Sequence, residues 1–127
     1  IIYPTGPERL GGYLLASSQG DNSFRVYDRV SNAYLGSFFI QAGGGVDQVT
    51  TCDGGDVSFA DLGALWPQGL MVVQDGEDNL TAGTNFKFLS WAAVAASQAP
   101  LLKIEPSLRP DEDQPVASDD AALATTE

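Results

Sequence analysis

The chain of 127 residues has the size of one domain, and with 43% hydrophobic residues it can bury a core. Its net charge of -11, from 17 acidic and 6 basic residues, argues against nucleic acid as a partner and fits either a cation binder or a protein kept soluble by surface carboxylates. With one cysteine, no histidine and no apolar run approaching the ~20 residues that a bilayer requires, the sequence excludes an internal disulfide, histidine-based zinc sites and triads, and a membrane-spanning helix.

The first predicted elements are three short strands. Residues 13–18 form an apolar run that ends in the polar residues 19–22, and residues 23–28 then alternate polar and apolar side chains with a period of two. That pattern is typical of a β-hairpin. Residues 33–40 follow a second polar turn, so we expect the three strands to form an antiparallel meander.

The middle of the chain is predicted to be less regular. Residues 41–65 are rich in glycine and aspartate, and we expect them to be mostly irregular. Residues 69–74 and 84–89 are short runs bounded by turn residues, which predicts a fourth and a fifth strand. Ser90 precedes a run of strong helix formers and is a candidate N-cap, so we expect one short helix at residues 91–96.

The composition predicts an all-β fold, because 14 Gly and 7 Pro interrupt short apolar runs. Short antiparallel strands suit the four-stranded blades of a β-propeller, but the chain is too short to form all the blades of one. We expect a partial propeller domain at residues 1–104 and a disordered acidic tail, rich in Pro, Ala and Thr, at residues 105–127. Because the chain starts at Ile1 with neither a methionine nor a signal-like segment, we interpret it as a piece of a longer protein.

The most suggestive local motif is Asp53-Gly54-Gly55-Asp56. Two carboxylates separated by flexible glycines can converge on one hard cation, and calcium is the natural candidate because it prefers oxygen ligands. A tight acidic turn that binds nothing is the alternative interpretation. Asp47 lies a few residues earlier, and we expect it to face water instead of joining the motif.

A second acidic cluster, residues 75–79, follows the fourth predicted strand. A loop at the end of a strand is held rigidly and often carries function, although Asp-Gly is equally typical of a hairpin turn. Neither acidic cluster has the ligand spacing of an EF-hand.

Basic and aromatic side chains on the predicted strands have two interpretations each. Arg25 and Lys87 could contact phosphate, but a solvated strand face is the commoner explanation for a charged residue in a period-two strand. The aromatic residues are interpreted as core and inter-blade packing instead of a ligand platform. They are Phe38, Phe39, Phe59, Trp66, Phe86, Phe88 and Trp91.

Four segments taken together resemble the β-propeller phytase family. They are residues 12–24, 53–57, 69–76 and 85–87, and their order and spacing match the family as well. The resemblance implies a six-bladed propeller, with calcium ions at one end of its central channel and acidic residues from several blades around them. This chain is then expected to form the C-terminal blades.

The resemblance also implies an activity, the hydrolysis of phosphate monoesters with phytate as the substrate and calcium as the cofactor. Calcium is expected to bridge the substrate phosphates and to activate a water molecule for in-line attack. Asp53 and Asp56 match calcium-site aspartates of the family, so we expect both to be metal ligands and catalytic residues.

A second calcium-binding stretch is implied at the end of the fourth strand. The matching segment starts at Gln74-Asp75-Gly76, and Asp78 and Asn79 compete for the position of the family's asparagine. All three are therefore expected to be metal ligands. Leu80 stands where the resemblance leads us to expect a carboxylate, so we expect this second site to be altered or lost.

The resemblance places other parts of the active site, notably glutamates and basic phosphate-binding residues, before Ile1. We therefore expect the remaining blades of a longer protein as partners, and no activity from this chain alone. It also implies a secreted, bacterial-type protein. The net charge and the lack of a long apolar run lead us to expect neither nucleic acid nor a membrane as a partner. Substrate-binding residues are not identified.

The alternative function is a propeller of the same ancestry that keeps calcium but serves only for ligand binding or adhesion. An inert β module is a third interpretation, but it explains only the composition and not the matching segments.

Overall fold

A computed structural model describes residues 1–77 and 83–105, and within them it forms two antiparallel sheets and one α-helix. The first sheet contains β1 (Ile2–Thr5), β2 (Gly11–Ser18), β3 (Ser23–Asp28) and β4 (Tyr34–Phe39). The second contains β5 (Gly55–Ser58), β6 (Leu70–Asp75) and β7 (Asn85–Ser90). A short 3₁₀ helix (Pro7–Arg9) lies between β1 and β2, and α1 (Trp91–Ala96) follows β7 directly.

The first sheet is a meander in which every strand pairs with its neighbour along the chain. Its β2–β3 turn is closed by Asp21, whose Oδ1 accepts hydrogen bonds from the Ser23 amide at 3.2 Å and the Ser23 hydroxyl at 2.7 Å. Asn22 adopts a left-handed conformation with φ 57°, which asparagine tolerates better than most residues. The predicted hairpin and the third strand are therefore confirmed.

The second sheet has the order β5-β6-β7, and β6 lies in its centre. Met71 and Val73 point from β6 into the core and are fully buried. The predicted fourth and fifth strands and the helix are confirmed. Ser90 holds the N-cap position of α1, but its side chain makes no capping hydrogen bond. The first helical amide, Trp91 N, instead donates to the carbonyl of Gly69 at 3.1 Å.

Two strands of the structure are absent from the predicted set. β1 contains a proline and has only four residues, so it lacks the alternation that reveals a longer strand. β5 starts inside the Gly-rich stretch 41–65, where we expected mostly irregular structure. Most of that stretch is irregular, and β5 forms because its register against β6 satisfies its backbone groups.

The two sheets meet at an aromatic cluster. The ring of Tyr3, on β1, stacks on that of Trp91 with 4.0 Å between centroids and contacts Phe59 edge to face. Residues after the helix close over the cluster: the Lys103 carbonyl accepts from Trp91 Nε1 at 3.2 Å, and the Glu105 amide donates to the Tyr3 hydroxyl at 2.8 Å. The core therefore joins β1, near one end of the chain, to residues 103–105.

The aromatic side chains divide into two groups. Phe38 and Trp91 are buried as predicted, and Phe59 is partly buried against the core. Phe39, Phe86 and Phe88 are instead exposed, each by more than half of its surface. Their packing against another blade stays a prediction.

The predicted all-β class is confirmed, since the described residues are mostly strands in antiparallel sheets with one short helix. A four-stranded antiparallel meander is the arrangement of a propeller blade, so the fold is consistent with a fragment of a β-propeller. Of the predicted tail at 105–127, only Glu105 lies among the described residues. No helix within residues 1–77 and 83–105 is long and apolar enough to cross a membrane.

Candidate functional site

The predicted site residues lie around residues 47–53, which we call the connecting segment because it runs from the first sheet to the second. Val49 and Cys52 bury their side chains in the core. The Val49 amide donates to the carbonyl of Ile40 at 3.0 Å, and the Thr51 amide donates to Asn22 Oδ1 in the β2–β3 turn at 2.9 Å. The segment is thus held to the first sheet at two points.

Asp53 ends the connecting segment and exposes its carboxylate. Its amide donates to Gln74 Oε1 at 2.7 Å, and its Oδ1 accepts a hydrogen bond from Gln19 Nε2. Gln74 belongs to β6 and Gln19 to the β2–β3 turn, so glutamines from both sheets orient this aspartate. The sequence does not predict this role for either glutamine, since a hydrogen bond between residues far apart in the chain leaves no local signal.

Asp56 lies on β5 opposite Val72, and it too is exposed. Its Oδ1 accepts a hydrogen bond from the amide of Val57 at 2.8 Å, and no hydrogen bond to Oδ2 is found among the described residues. Gly55 is needed beside it, because a Cβ there would lie 2.5 Å from the carbonyl oxygen of Val72. The Asp-Gly-Gly-Asp motif is therefore the entry to a strand, with its second glycine fixed by close packing, and is not a tight turn.

Asp75, at the end of β6, is fully buried with 0% of its surface exposed. Its Oδ1 accepts from the Thr50 amide at 2.8 Å and from the Thr50 hydroxyl at 3.3 Å. Lys87 Nζ lies 3.1 Å from Oδ2, an ion-pair contact in which Oδ2 receives no aligned hydrogen bond. Lys87 also forms an ion pair with Asp47. We call these three side chains the buried charge network.

The buried charge network corrects two predictions. Lys87 was expected on a solvated strand face, but only 7% of its surface is exposed, because β7 turns Lys87 inward and Phe86 and Phe88 outward. Asp47 was expected to face water, but its side chain is 11% exposed and paired with Lys87. Burial alone would lower the pKa of Lys87, but the hydrogen bond to Asp47 and the negative charges of Asp47 and Asp75 outweigh that effect and raise it.

Arg25 contrasts with Lys87. Its guanidinium lies 2.6 Å from Asp21 on the outside of the first sheet, and both side chains are more than one third exposed. The solvated strand face expected for Arg25 is therefore what the structure contains.

The structure does not bring the predicted ligands together into one cluster. Directly opposed strand residues share a face, so Asp56 lies with Val72 on one face of the second sheet, whereas Asp75 lies on the other face. Within residues 1–77 and 83–105, no three acidic or cysteine side chains are grouped closely enough to hold a metal ion. Asp78 and Asn79 lie outside the described residues, so their predicted role stays a prediction.

Calcium takes six to eight oxygen ligands, so a predicted ligand fits calcium only if it has an oxygen atom available to a cation. The exposed carboxylates of Asp53 and Asp56 fit, because each has an oxygen available and neither is paired with a cation among the described ion pairs. Asp75 does not fit, because it is buried and already faces the ammonium group of Lys87. Asp53 and Asp56 therefore have the donor chemistry that calcium prefers, and calcium binding itself stays a prediction.

Comparison with known proteins gives a direct result. A family model described as Phytase matches residues 2–114. The 3-phytase of Bacillus subtilis (strain 168) is 46% identical over 88 residues, which cover 66% of this chain and 23% of that protein. The chain thus spans about a quarter of the length of this relative.

Proposed function

The chain belongs to the phytase family, and from that premise we propose that it is part of a calcium-dependent phytase that hydrolyses phosphate monoesters of phytate. The protein then acts outside the cell, and phytate or a related phosphate monoester is its substrate. The observation that carries the proposal is the family match over residues 2–114, which includes two exposed carboxylates, Asp53 and Asp56, with oxygens available to a cation.

In this proposal Asp53 and Asp56 hold calcium through their carboxylate oxygens. Calcium held there would supply positive charge for the phosphate groups and would help to activate a water molecule. Gln74 and Gln19 fix the backbone and the carboxylate of Asp53, so this ligand is oriented before a cation arrives. Preorganisation of this kind reduces the entropy lost when the cation is bound.

The rest of the site comes from other parts of the intact protein. A complete calcium shell needs more oxygens than Asp53 and Asp56 offer, and the described residues contain no larger acidic group. Groups that bind the phosphates are also required, and Arg25 and Lys87 are both engaged with carboxylates of this chain. We therefore propose that this chain alone is inactive and that further blades complete both shells.

The test is release of inorganic phosphate from phytate by the intact protein that contains this chain. Activity should disappear on chelation, return with calcium, and fall strongly in Asp53→Ala and Asp56→Ala. Asp61→Ala is the matched control, because Asp61 is an exposed aspartate nearby that accepts a hydrogen bond from the amide of Gly63. It should keep activity.

Two results would contradict the proposal. Equal activity in all three variants would remove Asp53 and Asp56 from the site. Calcium binding without phosphate release would favour the alternative, a calcium-binding propeller used for ligand capture or adhesion. Both carboxylates would then be structural ligands only.

A further inference from the structure

Asp75 is a metal ligand in the sequence-based prediction, but its environment is that of a structural carboxylate. A buried charge is tolerated when it is paired and hydrogen-bonded, and Asp75 has Thr50 on one oxygen and Lys87 at the other. The oxygen without an aligned hydrogen bond, Oδ2, lies 3.1 Å from the Lys87 ammonium. A second cation at Oδ2 would be repelled by that ammonium.

The groups that Asp75 holds belong to the connecting segment. Thr50 donates its amide to Asp75 at 2.8 Å and accepts at its carbonyl from the amide of Gly76, also at 2.8 Å. The preceding residue of β6, Gln74, accepts from the amide of Asp53. Three consecutive residues, 74–76, thus bind the connecting segment at two positions, one of which is Asp53 itself.

Lys87 extends this attachment to the start of the segment. It pairs with Asp47 as well as with Asp75, so one ammonium on β7 links the first residue of the segment to the end of β6. Both contacts are largely shielded from water, where ion pairs are screened less than at a surface. The segment is therefore attached to the second sheet at residues 47, 50 and 53.

We propose that Asp75, supported by Lys87, is a positioning residue that holds the connecting segment so that Asp53 is presented in the right place, and that Asp75 is not itself a calcium ligand. The proposal rests on the proposed role of Asp53 in calcium binding. Residues that orient a metal ligand without touching the metal commonly affect its affinity. Here the orienting contact runs through the backbone, from Asp75 to Thr50 and along three residues to Asp53.

The first test uses the intact protein without calcium and measures amide hydrogen exchange at Thr50. Asp75→Ala removes the acceptor and should speed exchange there by roughly 10- to 100-fold, the factor expected for loss of a hydrogen bond to a charged group. Asp75→Asn keeps an oxygen acceptor in the same place and should restore most of the protection. Unchanged exchange in Asp75→Ala would overturn the proposal.

The second test separates positioning from direct ligation by titrating calcium into the same variants with calorimetric detection. Asp75→Ala should weaken calcium binding by roughly 10- to 100-fold, as loss of an orienting group does. Asp75→Asn should recover most of that affinity. Asp53→Asn replaces a proposed ligand, so calcium binding should stay weak in that variant. If Asp75→Asn weakens binding as much as Asp53→Asn does, Asp75 is a ligand and the proposal fails.

The two tests also distinguish failure of this proposal from failure of the proposed function. Exchange at Thr50 is measured without calcium or substrate, so its result holds even if the protein releases no phosphate. Where Asp75→Ala does not fold, the comparison of Asp75→Asn with Asp53→Asn still decides between the two roles, because Asn preserves the shape of the buried side chain.

Discussion

The two sheets differ in the exposure of their ion pairs. On the first sheet, Arg25 and Asp21 pair at 2.6 Å with side chains that are 38% and 44% exposed. On the second, Lys87 and Asp75 pair at 3.1 Å with side chains that are 8% and 0% exposed. Exposed ion pairs are weak because water competes with them, whereas a buried charge is costly to leave without its partner.

The sheets also differ in what holds them. The strands of both sheets pair with their neighbours along the chain, but the turns of the first sheet are closed by local side chains such as Asp21 and Asp28. The second sheet depends on the connecting segment, whose Asp47 and Thr50 bind partners 40 and 25 residues away. Charged side chains on the second sheet therefore fix the position of the connecting segment, whereas those on the first sheet close local turns or face solvent.

The largest expected difference in stability between the two ion pairs appears when the cation of each pair is replaced. Lys87→Met removes the ammonium that pairs with Asp47 and with the buried Asp75, and it should lower the free energy of unfolding by roughly 3 kcal/mol, the low end for a broken buried pair. The low end applies because Asp47 retains some contact with water. The measurement is urea unfolding of the intact protein without calcium.

The matched control for Lys87→Met is Arg25→Met on the first sheet. Both changes replace a strand cation by an unbranched apolar side chain, but the Arg25 pair is exposed, so no measurable change is expected. Equal losses in the two variants would show that the sheets do not differ in this respect.

Most of the fold could be predicted from the sequence because its signals are local. Alternating runs and turn residues reveal β2, β3, β4, β6 and β7, and a run of helix formers reveals α1. β1 and β5 could not be recognised in the same way. Each has four residues, and β5 includes a glycine whose role appears only against the Val72 carbonyl of the neighbouring strand.

The candidate site was less predictable because its contacts are long-range. The motif containing Asp53 and Asp56 is visible in the sequence, and their roles as calcium ligands and catalytic residues stay predictions. The inward direction of Lys87 was not visible, because alternation alone does not say which face of a strand is buried. A lysine is usually exposed, but Lys87 is buried because it pairs with the carboxylates of Asp47 and Asp75, which are distant in the sequence.

A smaller effect is expected from adding one methyl group to a glycine beside each sheet. At Gly76 a Cβ would lie 1.9 Å from Thr51 Oγ1 and 3.0 Å from the Thr51 carbonyl oxygen, so the connecting segment must shift. Gly76→Ala should therefore destabilise the protein by roughly 1–3 kcal/mol, as overpacking usually does. Thermal and urea unfolding would measure the loss.

Gly20→Ala, in the β2–β3 turn, is the control for Gly76→Ala because nothing lies within 4 Å of the added Cβ. Its effect should stay within about 0.5 kcal/mol, as for most surface changes. If Gly76→Ala were equally mild, the contact between the second sheet and the connecting segment would be loose.

The smallest expected effect is in the pH dependence of stability, where Asp28 of the first sheet and Lys87 of the second act at opposite ends of the pH range. Hydrogen bonds from the Ser31 amide and hydroxyl lower the pKa of Asp28 below its usual 3.8, so this contribution is present above that value and is lost as the pH falls through the lowered pKa. The raised pKa of Lys87 has the opposite sign: its contribution is present below pH 10.5 and is lost as the pH rises through the raised value. Burial also raises the pKa of Tyr3, so stability is also lost at alkaline pH when this phenol ionises.

Urea unfolding at a series of pH values should therefore show a loss of stability in acid that is smaller in Asp28→Asn, and a loss in alkali that is smaller in Lys87→Met. A loss in alkali that is unchanged in Lys87→Met would assign it to Tyr3 and leave the buried charge network without a share in the pH dependence.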